Sequence, residues 1–458
     1  MKVLVASPSA CLPPAVAAGG LAVAWRPQRW SPSVQALLAT QVAHPLQAEP
    51  AGFEAALAAL STRPDEALAI EVAVPFCLSH CLCCERDVQV AQPGSVIDAY
   101  VAGLQSELAW LAGRLGPGRD VLSLHLGQGT ANEMSQSQLA RLVDTLARHF
   151  RLPAEAQLVA DCDPRLTGWM QLHALRGLGF RRLAFGVLDL DGAVQAAIGR
   201  AQSPALVADV CQMARDSGIE SVELRLMIGL PAQTLVSWRA TLRQLIAMAP
   251  DRIAIGRYHH QPQWAPAQHA IDADSLPDDG LCRDLAELTA ATLCEAGYVW
   301  LGADLFVLEI DELAQARERG RLRCGPAGYS ATAPLPQLGL GAAALSAIDG
   351  SLFWNATPLP AWREAVRAGR HAVSHAVPAD AAGLLRRDAV ERLLCALELP
   401  RVPAGHGLQP AIERLLAHAR DGDVVAEPDR VVVTERGRHR LPELCAAFAV
   451  PSGVLHPS

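Results

Sequence analysis

Short runs of apolar residues recur through the middle of the chain, and each is followed by a longer stretch with apolar residues at helical spacing. The runs predict strands, and the stretches between them predict helices. Strands that alternate with helices of this length indicate βαβ units and a parallel sheet, either a barrel or an open wound sheet. The predicted strands are 68–74, 120–126, 156–162, 181–187, 220–227 and 252–257, and the predicted helices are 95–115, 135–150, 166–178, 203–217 and 234–248.

One face of several predicted strands is polar, which favours the barrel. A wound parallel sheet is buried on both faces, so its strands read as continuous apolar runs. In the first strand Ile70 and Val72 alternate with Glu71 and Ala73 instead. Polar residues of one parity share a face of a strand and would line a polar lumen inside an apolar coat of helices. The polar positions of the later strands are Ser123 and His125, Asp161 and Asp163, and Glu223 and Arg225.

The pattern divides the chain into four segments. Residues 1–65, rich in Ala, Pro and Trp, form an N-terminal extension, and residues 66–305 form the barrel. Residues 306–377 form a Gly-rich connecting or barrel-closing segment, and residues 378–458 form a C-terminal helical module. In that module, two short valine-rich runs around Glu427-Pro428-Asp429 follow helical patterns, which predicts a winged-helix-like unit.

Composition and charge exclude several classes of function. Hydrophobic residues make up 51% of the 458 residues, enough for a large core. A net charge of −8 offers no basic surface for nucleic acid, and no run of apolar residues is long enough to span a membrane. Three early prolines (Pro8, Pro13 and Pro14) interrupt any secretory signal. We therefore expect a cytoplasmic protein, and a monomer.

Four of the twelve cysteines lie between residues 77 and 84, directly after the first predicted strand. Cys77, Cys81 and Cys84 are spaced so that one loop could hold three irons of a cuboidal 4Fe–4S cluster, leaving the fourth iron open. The carboxyl ends of barrel strands are also where such enzymes carry their chemistry. The alternatives are a zinc site completed by Cys83 or His80, or buried thiols. The bunching favours a metal site in a reducing compartment.

This cysteine spacing resembles that of the radical S-adenosylmethionine (SAM) enzymes. Within them the chain is similar to the oxygen-independent coproporphyrinogen III oxidase (dehydrogenase) family over residues 66–450 or so. The matching stretches are 74–77, 125–130, 161–165, 179–183 with 186–187, 229–234, 250–253, 297–298, 328–330, 339–341 and 433–437.

The resemblance implies a fold, cofactors and a reaction. The fold would be α/β, a partial (β/α)6 TIM-like barrel of the radical SAM type, with an N-terminal extension and a C-terminal, mostly helical, winged-helix-like module. The cofactors would be a 4Fe–4S cluster and SAM, of which the family binds two molecules. The reaction would convert propionates of a tetrapyrrole to vinyl groups in haem (porphyrin) biosynthesis, with electrons exchanged with an unknown donor.

The resemblance also assigns site residues. Cys77, Cys81 and Cys84 would bind the cluster, and Gly129 and Thr130 would hold the methionine end of SAM. The remaining expected cofactor-binding residues are Asp161, Arg200, Arg225 and His259, and Tyr258 and His260 would border the substrate cavity. The resemblance leaves the catalytic residues undefined.

Several positions depart from the family pattern. Arg225 stands where the family has an aspartate, which reverses a charge, so it requires an acidic partner such as Glu71, Asp161 or Glu223. A purely structural ion pair with Glu223 is the alternative. The other departures are Glu71 for tyrosine, Ala73 for histidine, Cys83 for an aromatic residue, Glu85 and Arg86 for Gly-Cys, Gln128 for glycine, Ala131 for proline, Leu188 for glutamine and Leu305 for histidine.

Two functions remain open at this point. The first is a coproporphyrinogen dehydrogenase, or a radical SAM enzyme with a different substrate. The second is a non-catalytic 4Fe–4S relative that binds haem or a partner. The altered residues around the cofactor favour the second, and the full-length C-terminal module favours the first over shorter haem-chaperone relatives.

Overall fold

The computed structural model describes residues 46–47, 50–90, 92–263, 265–326, 328–401 and 407–449. Its strands are β1 (Leu46–Gln47), β2 (Leu68–Ala73), β3 (Phe76–Cys77), β4 (Gln89–Val90), β5 (Val121–Gly127), β6 (Gln157–Cys162), β7 (Arg182–Leu188), β8 (Ser221–Ile228), β9 (Arg252–Arg257), β10 (Tyr298–Leu301), β11 (Leu305–Leu308), β12 (Arg323–Gly325), β13 (Gly328–Ser330), β14 (Gln337–Leu340), β15 (Leu345–Ile348), β16 (Ser351–Asn355), β17 (Val373–Val377), β18 (Glu398–Pro400), β19 (Val424–Ala426) and β20 (Arg430–Val433). Its helices are α1 (Pro50–Ser61), α2 (Gly94–Leu115), α3 (Gln136–His149), α4 (Trp169–Gly177), α5 (Gly192–Ala197), α6 (Pro204–Asp216), α7 (Leu235–Ala247), α8 (Asp279–Glu295), α9 (Glu312–Glu318), α10 (Leu359–Arg367), α11 (Ala381–Ala396), α12 (Gln409–Ala417), α13 (Glu435–Arg438) and α14 (Leu441–Ala446).

Six neighbouring parallel strands form the centre of the molecule, in the order β2-β5-β6-β7-β8-β9. These are the six strands predicted from the apolar runs, and a helix follows each of the first five. Capping residues fix several helix starts; for example, the Ser135 hydroxyl accepts a hydrogen bond from the Gln138 amide at the start of α3. The prediction of a partial barrel with alternating strands and helices is therefore confirmed.

Two groups of strands extend this parallel core at its edges. The hairpin β10–β11 pairs antiparallel with β9, while β14 pairs parallel with β2 and leads outward to β15, β16, β17 and β1. The part of residues 306–377 that forms β14 to β17 lengthens the sheet beside β2, and among the described residues no pairing joins β10 to β1. Strand β11 also crosses the boundary expected between residues 305 and 306.

The two faces of the central strands differ as the alternation predicts. Val222, Leu224 and Leu226 of β8 are buried against the helices. Glu223 and Arg225, of the opposite parity, are partly exposed toward the lumen. The apolar face supplies the main hydrophobic core, and the polar face is left free to form a site.

The C-terminal module has a core of its own. Its antiparallel sheet has the order β18-β20-β19 and packs with α11, α12 and α14 around buried residues such as Leu393 and Phe448. The two predicted valine-rich strands are β19 and β20, which pair antiparallel.

The described part of the N-terminal extension packs on the barrel. Strand β1 pairs antiparallel with β17, and Leu57 and Leu60 of α1 are buried in the main core. The rest of the extension, residues 1–45, lies outside the described residues. Among the described helices, none is long and apolar enough to cross a membrane.

A buried carboxylate joins α2 to the strands that extend the sheet. Glu107 accepts hydrogen bonds from the Gly341 amide (2.7 Å), the Asn355 side-chain amide (2.8 Å) and the Trp362 indole (3.1 Å). Burial raises the pKa of Glu107 to about 7, although these three hydrogen bonds lower it. The carboxylate thus links Gly341, Asn355 and Trp362 to α2.

Replacing Glu107 with alanine is expected to lower the free energy of unfolding by about 3–5 kcal/mol, because three buried donors lose their acceptor and a cavity forms. Its raised pKa means that the folded chain binds the proton more tightly than the unfolded chain, so this group's contribution is largest at low pH. The contribution of Glu107 to the free energy of unfolding falls as pH rises from about 4.5 through about 7, by at most about 3 kcal/mol.

Denaturant unfolding of Glu107→Ala and the wild type at pH 5 and pH 8 will measure both effects. Ser106→Ala on the exposed side of the same helix should change stability by less than about 0.5 kcal/mol. If Glu107→Ala lowers the free energy of unfolding equally at pH 5 and pH 8, the expected pH dependence is wrong.

Candidate active site

The cysteine loop, residues 77–84, leaves the sheet at the carboxyl end of β2. It begins with β3, which pairs in parallel with β4. The Cys84 amide donates to the Cys81 carbonyl (3.0 Å), which turns the loop back on itself, and the Leu82 amide donates to the Ile198 carbonyl (2.9 Å). These bonds hold the loop over the end of the lumen.

The four cysteines of this loop differ in exposure. Cys77, Cys81 and Cys84 are partly buried, while Cys83 is buried and packs with Leu188, Val194 and Tyr258. Cys83 also lines the cavity that the other three cysteines line, but it is the most buried of the four. The structure is consistent with the three predicted ligands and gives Cys83 a packing role.

The spacing of the sulfurs distinguishes a cluster from a single ion. Among the described residues, the one group of three or more His, Cys, Asp or Glu ligand atoms that all lie within 4.8 Å of one another is His418, Asp421 and Asp423. Cys77, Cys81 and Cys84 do not form such a group, so their three sulfurs do not all lie within 4.8 Å of one another. A tetrahedral zinc ion would bring thiolates to roughly 3.8 Å from one another. A cuboidal cluster instead binds each thiolate through a different iron, so the wider spacing favours the cluster over zinc.

The glycine turn, residues 127–130, packs directly against the cysteine loop. A Cβ atom on Gly129 would lie 1.8 Å from the Val74 carbonyl oxygen, so only glycine fits there. The Thr130 amide donates to the Phe76 carbonyl (3.0 Å), and the Thr130 hydroxyl lies 3.4 Å from the Cys77 sulfur. The two predicted cofactor residues of this turn therefore adjoin a predicted cluster ligand.

Arg225 lies in the lumen between two acids. Its guanidinium donates to Asp161 (2.7 Å) and to Glu223 (2.6 Å). Asp161 is also hydrogen-bonded to His125 (2.9 Å). Burial alone would raise the pKa of Asp161, but Arg225 and His125 hold it well below its ordinary range. The expectation that the fold must supply Arg225 with an acidic partner is met by Asp161 and Glu223.

Glu71, the third partner suggested for Arg225, has other hydrogen bonds. Its carboxylate accepts from the side-chain amides of Gln128 (2.9 Å) and Gln337 (2.7 Å). Of the three alternatives, Glu71 is thus not a partner of Arg225: β14 brings Gln337 to one oxygen of this buried acid, and the glycine turn brings Gln128 to the other.

Arg200 connects the cysteine loop to the lumen wall. Its guanidinium donates to the Gly186 carbonyl (2.6 Å), lies 3.2 Å from Asp163 and lies 3.5 Å from the Cys81 sulfur. Its Nε atom is buried and has no hydrogen-bond partner. This predicted cofactor residue therefore lies beside a predicted cluster ligand with one donor left over.

These groups line one cavity that opens to solvent. It is lined by all three predicted cluster ligands and by the predicted cofactor residues Gly129, Thr130, Asp161, Arg200 and Arg225. His259 lies on the segment after β9 and is not among the lining residues, and the Tyr258 hydroxyl is hydrogen-bonded to His260 (2.8 Å). Eight of the nine predicted cluster and cofactor residues therefore line one cavity, whereas Tyr258 and His260, expected to border the substrate cavity, are not among its lining residues.

Sequence reasoning missed several lining residues. Arg86, Arg257 and Met227 border the cavity but were not assigned to it. Met227 shares the lumen parity of Glu223 and Arg225, and Arg257 ends β9, so the strand pattern contained a signal for both. Arg86 follows the cysteine loop and has no comparable periodic signal.

Curated proteins resemble the chain over most of its length. An oxygen-independent coproporphyrinogen III oxidase from Bradyrhizobium diazoefficiens is 32% identical over 382 residues, which are 82% of this chain and 85% of the relative. Proteins of the same name from Pseudomonas aeruginosa and Escherichia coli are 30% identical, covering 85% and 87% of this chain and 86% and 88% of their own. The solved structure of the E. coli coproporphyrinogen III oxidase, described as a radical SAM enzyme, matches with a TM-score of 0.81 and 29% identity over 86% of this chain and 92% of that one. No protein-family model matches the chain.

Proposed function

The chain belongs to the family of oxygen-independent coproporphyrinogen III oxidases, and on that premise we propose that it is a radical SAM oxidoreductase that oxidatively decarboxylates two propionates of coproporphyrinogen III to vinyl groups. The observation that carries the proposal is the cysteine loop and the glycine turn meeting in the lining of one cavity. A cavity at the carboxyl ends of barrel strands is where enzymes of this fold class place their active sites.

The residues present fit a 4Fe–4S cluster. Cys77, Cys81 and Cys84 supply three widely spaced sulfurs, which leaves one iron for another ligand. Burial raises the pKa of the Cys84 thiol to about 11, so the positive charge of iron is needed to hold it as a thiolate at neutral pH. Cys83 remains in its apolar cluster.

The residues present also fit SAM at the cluster end. The close approach of Gly129 to Val74 leaves the turn's backbone exposed to the cavity, where it would hold the methionine end. The orphaned Nε of Arg200 offers a donor beside it. When bound, the cluster and SAM would supply the radical chemistry that removes a hydrogen atom from the β-carbon of a propionate.

The protein's own part in the reaction is to bind, orient and exclude water. Leu188 and Met227 give the cavity apolar surface, which keeps water from the reacting carbon. Arginines line the same cavity, and guanidinium groups bind carboxylates such as those of the substrate. Loss of carbon dioxide from that propionate would also release one electron, so the reaction would need an electron acceptor. The lining arginines are Arg86, Arg200, Arg225 and Arg257.

The remaining partners follow from the chemistry. We place the reaction in the cytoplasm, whose reducing conditions keep the loop thiols free, and we propose that the chain acts as a monomer. The electron that reduces the cluster would come from a separate donor protein or small reductant.

A second candidate function is supported by the Arg225 pairing. Because Asp161 is already engaged by His125 and Arg225, this acid has less capacity to bind a cofactor hydroxyl or amine. A cluster-bearing relative that binds a tetrapyrrole without radical chemistry would tolerate this arrangement.

Anaerobic reconstitution followed by an assay for 5′-deoxyadenosine distinguishes the two functions. The enzyme is expected to form deoxyadenosine from SAM and reductant, at a rate that rises with coproporphyrinogen III, together with a vinyl-bearing product. A chain that holds about four irons and binds the tetrapyrrole but forms no deoxyadenosine would support the second function. Deoxyadenosine that does not respond to coproporphyrinogen III would point to a different substrate.

A further inference from the structure

Gln128 occupies a backbone conformation that residues with a Cβ atom rarely adopt. Its φ angle is +59°, in the left-handed region. The residue lies between two contacts that shape the glycine turn. The Val74 amide donates to the Gly127 carbonyl (2.8 Å), and the Thr130 amide donates to the Phe76 carbonyl (3.0 Å). The left-handed bend at Gln128 is what allows the turn to make both contacts.

A buried acid holds Gln128 in this conformation. The Gln128 side-chain amide donates to one oxygen of Glu71 (2.9 Å), and Glu71 is only 4% exposed. The other oxygen of Glu71 accepts from Gln337 (2.7 Å), which also donates to the Leu345 carbonyl (2.9 Å). The Gln337 side chain on β14 therefore fixes the Glu71 carboxylate independently of its hydrogen bond to Gln128.

We propose that Glu71 is a positioning residue for the cofactor. It holds Gln128 in the left-handed conformation and so keeps Gly129 and Thr130 against the cysteine loop, where Thr130 lies 3.4 Å from the Cys77 sulfur. The inference rests on the proposed function only in taking SAM as the ligand of this turn. Glu71 needs no contact with SAM or substrate, because it acts through the conformation of the turn.

Substitutions at Gln128 separate the side-chain contact from the backbone conformation. Gln128→Ala and Gln128→Gly both remove the hydrogen bond to Glu71, but only alanine keeps the Cβ atom that disfavours a positive φ. The alanine variant is expected to weaken SAM binding about tenfold, whereas the glycine variant keeps an affinity close to that of the wild type. Gln212→Ala, an exposed glutamine on α6, serves as the matched control.

A double variant tests Glu71 directly. Glu71→Ala should weaken SAM binding about tenfold, and Glu71→Ala combined with Gln128→Gly should recover most of that loss, because glycine adopts the left-handed conformation without help. No recovery in the double variant would overturn the proposal and indicate that Glu71 acts by another route. If Glu71→Ala does not fold, equal effects of alanine and glycine at Gln128 would overturn the proposal by themselves.

Hydrogen exchange separates this inference from the proposed function. In the full-length chain without iron or SAM, exchange of the Thr130 amide reports on the turn alone. It should quicken about tenfold in Gln128→Ala and in Glu71→Ala, but not in Gln128→Gly. Unchanged exchange in all variants would contradict the positioning role. Failure of the wild type to bind SAM would count against the proposed function and leave this measurement intact.

Discussion

Alanine at Cys77, Cys81 or Cys84 will abolish iron binding by the anaerobically reconstituted chain. Each of these cysteines lines the cavity. Because the three thiolates of this loop would be the protein's ligands to the cluster, removal of any one leaves an iron without its protein ligand. We expect iron to fall from about four per chain to near zero, with loss of the broad brown absorbance. Iron analysis and the visible spectrum measure both.

Cys83→Ala is the matched control, because Cys83 lies in the same loop but packs with Leu188, Val194 and Tyr258. It should retain the iron and lose some stability, about 1 kcal/mol, from the small cavity left in that cluster. Loss of iron in Cys83→Ala together with retention in Cys84→Ala would show that the ligand assignment is wrong.

Replacing Arg225 with aspartate is expected to have the largest effect of any single change in the lumen. The guanidinium lies between Asp161, which is buried, and Glu223, which is partly buried, and its removal leaves both carboxylates without this cation. The new acid would join them and Asp304, whose pKa burial raises to about 7 with a further contribution from Glu223. Breaking a buried pair costs about 3–5 kcal/mol. Denaturant unfolding will measure the loss of stability, and SAM binding should weaken as well.

A comparable substitution on the surface provides the control for Arg225→Asp. Arg392 pairs with Asp388 across one turn of α11, and both side chains are at least half exposed. Arg392→Asp should therefore cost less than about 1 kcal/mol. If Arg225→Asp instead raises deoxyadenosine production, the arginine impairs the site, and the non-catalytic function becomes the better account of the chain.

The central strands could be predicted because their signal is local. Each of the six is a short apolar run whose alternation also identified the lumen face, and the observed bounds of β2 and β9 differ from the predicted ones by at most one residue. The cysteine spacing and the glycine turn are local signals too, which explains why most of the predicted site residues line one cavity.

The remaining features depend on contacts between residues far apart in the chain. Glu71 and Gln337 are 266 positions apart, so no local pattern could show that β14 would supply the partner of this acid. The strands β14 to β17 are also short, at four or five residues each, and Gly339 interrupts β14, which weakens any periodic signal. The charge of Arg225 indicated that a carboxylate partner was required, but choosing among Glu71, Asp161 and Glu223 required the actual pairing of the strands.

The position of β14 beside β2 also affects the order in which the newly made chain can fold. Strand β2 is complete once the ribosome has passed residue 73, but the strand that covers its open edge is made only at residues 337–340. At about 5–20 residues per second, translation of the intervening segment takes roughly 15–50 s. During that interval the emerging barrel carries an unpaired edge next to the cysteine loop, and such edges invite pairing with other chains. Nascent chains arrested before residue 337 should therefore depend on chaperones, while chains arrested after the C-terminal module should not.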